Sequence, residues 1–289
     1  MLKFIAKKLG LYNAWVKTCT YLSWEKHIFS DWCNTYIFTS KVEWSTPSGF
    51  KMVSRNYIAN RLMLEGTFES EELETIKGQL GSAEVFVDVG ANIGYYACLA
   101  RFLGKSVVAF EPQAQNLECL YANLMNNNWA DTEVYPLGLS SAPGFLSLYG
   151  ASGPSASLVK GWAGYSERIK KVIPVNTLDN VIGGRFAGKK LFIKIDVEGA
   201  EYGVLKGAAK VLVHSPRPAW LIEICLNEFH PGALNPDFEA IFNLFWQQGY
   251  EARLANKAGT PVKPADVKKW VADKKTATGE FNYIFLPKQ

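Results

Sequence analysis

The stretch Val85-Phe-Val-Asp-Val-Gly-Ala-Asn-Ile-Gly-Tyr-Tyr96 decides the fold, because a short apolar run leads into a turn of small residues and then into a helical pattern. The run from Val85 to Val89 predicts a buried strand. Gly90 and Gly94 suit a tight turn, since a Cβ at either position would meet a ligand or force a costly backbone geometry. A strand, a glycine turn and a helix in this order predict the first unit of a doubly wound α/β sheet.

The same alternation of apolar runs and helical patterns continues towards the C-terminus. Such alternation predicts a mainly parallel sheet with helices on both faces. The closing run, 281–286, predicts one further strand. The other predicted strands are 106–110, 132–137, 191–195 and 219–225, and the predicted helices are 95–103, 116–125, 200–213 and 238–247.

Two segments depart from this alternation. Residues 1–80 are rich in aromatic side chains, and we interpret them as an N-terminal cap region with helical segments and an extended pair around Thr46–Gly49. Residues 81–289 then form the main domain. Within it, residues 138–176 carry strand patterns at 145–149 and 171–175 around a Gly/Ser-rich loop, which predicts an insertion over the active face.

Composition limits the class of protein. The 289 residues are 48% hydrophobic and 20% charged with a net charge of +4, so we expect a folded core and no nucleic-acid partner. The five cysteines show no CxxC spacing, which favours reduced thiols and a cytoplasmic protein. The basic and apolar residues of 1–11 predict an amphipathic helix that packs on the core or makes weak contact with a membrane surface. We expect no secretion signal and no transmembrane segment.

The carboxylate of Asp88, in the glycine turn, indicates which nucleoside this turn binds. Asp88 would repel the pyrophosphate of a nicotinamide dinucleotide, but it would attract the cationic amine and sulfonium of S-adenosylmethionine. We therefore predict that Asp88 binds this cofactor together with the turn residues Gly90, Ala91, Asn92 and Gly94. The alternative is that Asp88 only caps the turn by accepting local backbone N–H groups.

A second acidic side chain follows the next predicted strand. Glu111 lies about 20 residues after Asp88, where doubly wound folds place the acid that accepts hydrogen bonds from ribose hydroxyls. Taken alone, Glu111 could equally be an acid at a helix N-terminus. After the third strand, backbone N–H groups near Leu139 are predicted to approach the adenine edge.

A cluster of acids follows the strand at 191–195, in Leu191-Phe-Ile-Lys-Ile-Asp-Val-Glu-Gly-Ala-Glu201. O-methylation requires removal of a proton from the attacking hydroxyl, so a base or a metal must lie beside it. Asp196 is the first candidate for either role. Glu198 and Glu201 could take part in the site or could cap the following helix.

Two residues on the next strand and beyond it support this candidate site. Glu223 could be a base, a metal ligand or a buried acid paired with Lys194. His230 could be a general base or an ordinary loop residue. These alternatives leave open whether a divalent metal is needed. The sequence also leaves the oligomeric state open.

These motifs resemble the FkbM family of methyltransferases over roughly residues 50–286. The resemblance implies a class I, Rossmann-like fold with a seven-stranded sheet whose last strand is antiparallel. It also implies O-methylation of a hydroxyl on a sugar, a glycan or a natural-product small molecule. The matching pieces are Phe86–Gly94, Phe110–Pro112, Asn123, Ile193–Glu201, Val204–Gly207, Glu223 and Asn282–Leu286.

The motifs bear on four functions other than O-methylation. An N-methyltransferase of a small molecule and a non-catalytic Rossmann-like binding module are compatible with the same motifs. A nicotinamide-dependent oxidoreductase is disfavoured because the Gly-x-Gly-x-x-Gly pattern is missing. A nucleic-acid methyltransferase is disfavoured because there is no Asn-Pro-Pro-Tyr segment and no basic stripe.

Overall fold

The computed structural model describes residues 41–54, 63, 65, 70–150, 156–164, 167–168, 170–277 and 279–288. The predicted amphipathic helix at 1–11 and its membrane contact lie outside these residues. The division into a cap region and a main domain at residue 80 stays a prediction. No helix within the described ranges has the length and apolar character needed to cross a membrane.

The first described elements are a hairpin and a helix. Strands β1 (Val42–Ser45) and β2 (Lys51–Ser54) pair antiparallel around the predicted turn at Thr46–Gly49. Helix α1 runs over Ser70–Ser82. Helix α3 (Ala114–Asn126) and the residue that follows it hold β2 in place: the side chain of Asn123 bonds the backbone of Val53, and the side chain of Asn127 bonds the backbone of Lys51.

The remaining strands alternate with helices. The strands are β3 (Val85–Val89), β4 (Ser106–Phe110), β5 (Glu133–Tyr135), β6 (Gly138–Leu139), β7 (Gly144–Tyr149), β8 (Lys170–Asn176), β9 (Leu191–Ile195), β10 (Ala219–Glu223), β11 (Tyr250–Leu254), β12 (Pro261–Val262) and β13 (Asn282–Pro287). The helices are α2 (Tyr95–Phe102), α3 (Ala114–Asn126), α4 (Leu178–Val181), α5 (Glu201–Lys206), α6 (Ala209–Leu212), α7 (Phe238–Gln247) and α8 (Pro264–Asp273).

The main sheet has the order β12-β11-β13-β10-β9-β3-β4-β5. Strands β5, β4, β3, β9 and β10 are mutually parallel, and β13 is antiparallel to both of its neighbours. The fold is therefore the doubly wound α/β sheet of a class I methyltransferase. It contains the seven strands that the resemblance implied and, in addition, the two-residue edge strand β12.

Strand β3 shows why the two faces of the sheet carry different side chains. Because side chains alternate along a strand, Val85, Val87 and Val89 share one apolar cluster with α5 and α7. Phe86 points to the opposite face, where its ring centroid lies 5.4 Å from that of Phe192 among the side chains of α1, α2 and α3. All five residues of β3 are buried, as predicted for a central parallel strand.

The structure differs from the prediction in one predicted helix and in elements that were not predicted. The single helix predicted at 200–213 is instead the pair α5 and α6. Gly207, at the break, packs closely against a residue far away in the sequence, because a Cβ there would lie 2.3 Å from the carbonyl oxygen of Ser140. The sequence analysis also named no strand at Tyr250–Leu254, whose alternating burial is that of β11 near the edge of the sheet.

The insertion at 138–176 forms a separate three-stranded sheet with the order β6-β8-β7. Strands β7 and β8 pair antiparallel, which confirms the predicted strands at 145–149 and 171–175. A small apolar core of Leu148, Ile173 and Val175 supports this sheet. One turn of 3-10 helix, Trp162–Gly164, follows β7 and leads to the candidate site.

Candidate functional site

The glycine turn after β3 packs against the protein's own backbone. Gly90 has φ +87°, and a Cβ on it would lie 1.9 Å from the carbonyl oxygen of Asp196. Gly94 has φ +84°, and a Cβ there would lie 2.2 Å from Cδ1 of Leu120. Both φ values are costly for a residue with a side chain, as the sequence analysis expects, and a contact between either glycine and a ligand stays a prediction. Gly90 lets the turn after β3 approach the end of β9, and Gly94 lets it approach helix α3.

Asp88 lies on β3 with 1% of its surface exposed, opposite Ala109 of β4 and Lys194 of β9. It shares the sheet face of Phe86, two residues earlier, so its carboxylate lies on the side of α2 and α3. Asp88 therefore lies within β3, near its carboxyl end, and not in the glycine turn as predicted; its contact with the cofactor stays a prediction.

Glu111 lies just beyond β4 and holds the glycine turn. Its Oε2 accepts the N–H of Asn92 and its Oε1 accepts the N–H of Gln113, each at 2.8 Å. Burial raises its pKa to about 7, while these N–H groups and the side chain of Asn116 act in the opposite direction. Glu111 therefore faces the turn after β3 and not the solvent.

Asp88 and Glu111 fit the nucleoside that the sequence predicts. The two carboxylates come from neighbouring parallel strands, at the edge where doubly wound sheets bind ligands. The donors to Glu111 use only part of the roughly four acceptor positions of a carboxylate, so it can still accept from a ribose hydroxyl. The residues present are therefore compatible with S-adenosylmethionine.

The other predicted cofactor residues take different positions. The N–H of Ala91 is committed to the carbonyl of Phe110 at 2.9 Å, whereas Asn92 adopts φ +52° and presents its N–H to Glu111. The side chain of Leu139 is 3% exposed and belongs to the main apolar core. Only the backbone of Leu139 is left for an adenine contact, and this contact stays a prediction.

A cluster of acids surrounds the end of β9, on the other side of the glycine turn. Lys194 Nζ lies 2.7 Å from Asp196 Oδ2 and 5.0 Å from the ring centroid of Tyr96. The pKa of Glu223 is raised well above its ordinary value, first by burial and then by repulsion from Asp196. Lys194 thus pairs with Asp196, while burial favours the neutral form of Glu223.

Glu198 is held by the insertion. It has φ +56°, an unusual conformation for a residue with a side chain. The indole N–H of Trp162 donates to its Oε2 at 2.7 Å, and the hydroxyl of Ser157 donates to its carbonyl oxygen at 2.5 Å. Burial, followed by repulsion from Asp196, raises the pKa of Glu198 to about 8.

Glu201 begins α5 and is 1% exposed. Its Oε1 accepts the N–H of Gly199, two residues before the helix begins, at 2.8 Å, and helix capping by Glu198 or Glu201 stays a prediction. Burial raises its pKa to about 7. Glu201 therefore contributes to the turn that presents Glu198.

His230 packs against the insertion. Its ring lies edge-on to that of Trp162 with a centroid distance of 6.1 Å, and its Nδ1 accepts the N–H of Gly232 at 3.3 Å. Burial lowers its pKa. His230 thus contacts the same indole that holds Glu198, and its role as a base stays a prediction.

Trp162 was not identified from the sequence. It is 1% exposed, and it joins Glu198 to His230. The available signal was a large indole in the otherwise small-residue stretch Gly161–Gly164. Among the residues that the structure describes, no group of three or more His, Cys, Asp or Glu side chains is arranged to hold a metal ion.

The model of the family described as "Methyltransferase FkbM domain" matches residues 88–252. The hexuronic acid methyltransferase AglP of Haloferax volcanii is 31% identical over 146 residues, which cover 50% of this chain and 58% of that protein. The AMB antimetabolite synthetase AmbE of Pseudomonas aeruginosa is 26% identical over 256 residues, covering 76% of this chain and 12% of that protein. The chain thus spans less than two thirds of either relative.

Solved structures give more distant similarities. A TehB-like SAM-dependent methyltransferase from Corynebacterium glutamicum has a TM-score of 0.42 at 12% identity, covering 79% of this chain and 94% of that one. A SAM-dependent methyltransferase from Agrobacterium tumefaciens has a TM-score of 0.41 at 8% identity, covering 85% and 69%.

Proposed function

The chain belongs to the FkbM methyltransferase family, and we propose that it transfers a methyl group from S-adenosylmethionine to a hydroxyl group of a sugar. The observation that carries this proposal is the contact between the turn at Gly90 and the carbonyl of Asp196. This contact brings Asp88 and Glu111, the carboxylates that we assign to the cofactor, beside the acidic cluster at the end of β9 that we assign to the acceptor. The sugar class is supported by the hexuronic acid methyltransferase among the relatives.

The cofactor supplies an electrophilic methyl group on a sulfonium when it is bound. Asp88 attracts the cationic end of the molecule, and Glu111 accepts hydrogen bonds from its ribose. Because both side chains are buried in low-dielectric surroundings, their interactions with a ligand are stronger than in water.

The acidic cluster at the end of β9 then acts on the acceptor. We assign the general base to Glu198, because Trp162 and Ser157 hold it at the end of β9 and its pKa, raised to about 8 by burial, lies near the pH at which a base exchanges protons. Asp196 was the first candidate from the sequence, but its carboxylate is stabilised by the ion pair with Lys194. We therefore give Asp196 an orienting role and retain Glu223 as a second acid of the acceptor site.

The charge of the cluster favours a hydroxyl over a carboxylate as the acceptor. A hexuronic acid carries both groups, and a carboxylate needs no base to attack a methyl group. An acceptor carboxylate would meet the charge of Asp196 and would have to compete with it for Lys194, whose Nζ already pairs with Asp196. A hydroxyl meets no such competition and finds a base to take its proton.

Methyl transfer from labelled S-adenosylmethionine to glucuronic acid, glucose and glucosamine would test this proposal. We expect label in a product that survives alkali, because an ether is stable whereas a methyl ester releases methanol. Label found only as an alkali-labile ester, or only on the amine of glucosamine, would contradict hydroxyl methylation. Transfer to none of these saccharides, with cofactor binding intact, would contradict the sugar class.

A further inference from the structure

Trp162 lies where three parts of the chain meet, namely the insertion, the loop after β10 and the turn after β9. Its indole is 1% exposed and belongs to the insertion. The N–H of Ala163 donates to the carbonyl of Phe229 at 2.7 Å, which ties this turn to the loop after β10. Gly161 faces Pro231 of the same loop, with 3.2 Å between the place of a Cβ and the proline Cβ.

The same indole fixes the turn after β9. A Cβ on Gly199 would lie 2.4 Å from Cζ3 of Trp162, so the ring lies directly on the glycine backbone. The N–H of the indole donates to the carboxylate of Glu198, and Ser157 bonds the carbonyl of Glu198. The insertion therefore forms hydrogen bonds with both the side chain and the main chain of Glu198.

This arrangement restricts the carboxylate to one orientation. Glu198 has a flexible side chain, and its left-handed backbone conformation requires support from its surroundings. In the described structure that support comes from Trp162 and Ser157. A general base must stay within hydrogen-bonding distance of the proton that it removes, so the orientation of Glu198 bears directly on the rate.

We propose that Trp162 is a positioning residue that holds Glu198 in the orientation in which it accepts the proton of the attacking sugar hydroxyl. The inference rests on the proposed function. In the step, the hydroxyl oxygen forms a bond to the methyl carbon, the carbon–sulfur bond breaks and its electron pair stays on sulfur. The hydroxyl proton moves to Glu198, and S-adenosylhomocysteine is the second product.

The other charged groups around Glu198 belong to three elements. Asp196 and Lys194 lie on or just after β9, Glu201 begins α5, and Glu223 ends β10. The hydrogen bond from Trp162 favours the ionised form of Glu198, whereas burial and the neighbouring acids favour the neutral form. Loss of this bond is therefore expected to move the titration of Glu198 to higher pH.

The variant Trp162→Phe tests the proposal, because it keeps an aromatic ring and removes the N–H. We expect kcat to fall by about 10-fold or more, since a hydrogen bond to a charged group is lost, while binding of S-adenosylhomocysteine stays within about 2-fold. Trp220→Phe is the matched control: its indole N–H donates to Tyr250 Oη at 3.3 Å within the core. Circular dichroism melting of both variants separates misfolding from mispositioning.

A double-mutant cycle shows whether Trp162 acts through Glu198. In the Glu198→Gln background, Trp162→Phe is expected to change kcat by less than about 2-fold, because the base is already absent. A further 10-fold loss in that background would overturn the proposal. So would a kcat of Trp162→Phe equal to that of the wild type.

A titration independent of turnover separates this inference from the proposed function. The carboxyl signals of glutamates labelled with ¹³C can be followed against pH, with Glu198→Gln used to assign the signal of Glu198. We expect this signal to titrate at higher pH in Trp162→Phe and to be unchanged in Trp220→Phe. An unchanged titration in Trp162→Phe would overturn the positioning role, whereas absence of transfer to saccharides by the wild type alone would contradict only the sugar acceptor.

Discussion

The carbonyl oxygen of Asp196 occupies the space that a β-carbon on Gly90 would need, with only 1.9 Å between the two positions. The turn after β3 and the turn after β9 are therefore in backbone contact. The parallel pairing of Val89 with Ile195 leads directly into this contact, as does the hydrogen bond from Asp196 N–H to the carbonyl of Val89. Two motifs about 100 residues apart in the sequence form one surface because glycine lets them meet.

Gly90→Ala is expected to destabilise the protein. The new methyl group would meet the Asp196 carbonyl, and alanine at φ +87° is strained, so we expect a loss of about 2–5 kcal/mol in the free energy of unfolding. Gly78→Ala is the control, since Gly78 lies in α1 with no atom within 4 Å of the new position. It should raise stability by about 0.5–1 kcal/mol. Urea unfolding that shows equal midpoints for the two variants would refute the steric argument.

Asp88→Asn is expected to weaken the binding of S-adenosylhomocysteine. The substitution keeps the shape of a side chain that is 1% exposed but removes the charge that we propose to attract the ligand amine. Loss of one partner of a buried charge pair costs about 2–5 kcal/mol, or roughly 30-fold to 4000-fold in affinity. Isothermal titration calorimetry would measure it.

Asp131→Asn is the matched control for Asp88. Its carboxylate pairs with Arg101 at 2.7 Å and is 72% exposed, far from any predicted ligand contact. This variant should bind S-adenosylhomocysteine like the wild type. If Asp88→Asn also retained full affinity while folding normally, the assignment of the cofactor turn would be wrong.

The sequence predicts the cofactor side of this site better than the acceptor side. The strand before Asp88, its glycine turn and Glu111 follow a local pattern with fixed spacing, and the structure brings them together. The roles of the glycines could not be predicted, because the atoms that they avoid belong to distant residues. The same holds for Trp162, whose partner Glu198 lies 36 residues further along the chain.

Two elements show how such signals are overlooked or missing. Strand β11 was not predicted although its residues alternate between buried and partly buried side chains, because five residues give only a short strand signal. The break between α5 and α6 depends on the approach of Ser140 to Gly207, a contact without any local sequence signal. Local patterns thus predicted the central strands, whereas the glycine contacts and the partner of Trp162 depend on residues far away in the sequence.

Asn123→Ala is expected to loosen the hairpin of β1 and β2. Its side chain is fully buried and makes hydrogen bonds to both backbone groups of Val53 and to the carbonyl of Ile93. Removing it leaves buried polar groups without these partners, at a cost of about 2–4 kcal/mol. Asn127→Ala, which loses the more exposed bonds to Lys51, should cost about 1 kcal/mol or less. Chemical denaturation with the opposite ranking would contradict this explanation.

Glu201→Gln is expected to change how the stability of the ligand-free protein depends on pH. Burial raises the pKa of Glu201 from 4.5 to about 7, so its contribution to stability is complete below pH 4.5 and is lost as the pH rises through about 7. Glutamine stays neutral throughout. Relative to the variant, the wild type should lose on the order of 3 kcal/mol across this range. Glu74→Gln, at a 70% exposed side chain, is the control, and parallel melting curves for wild type and Glu201→Gln from pH 4.5 to 8 would disprove the effect.

Glu198→Gln is expected to remove most of the methyl transfer and its dependence on pH. A general base must be ionised to accept a proton, and the pKa of Glu198 is about 8, so kcat of the wild type should rise as the pH increases through about 8. The variant keeps an acceptor oxygen for Trp162 but cannot take the proton, and we expect a loss of about 10²–10⁴-fold with a flat profile. Release of S-adenosylhomocysteine measured from pH 6 to 9 gives both the loss of rate and the shape of the pH profile. Asp196→Asn provides the decisive comparison, since it should reduce kcat while leaving the rise with pH in place. A profile that flattens in Asp196→Asn and persists in Glu198→Gln would transfer the role of the base to Asp196.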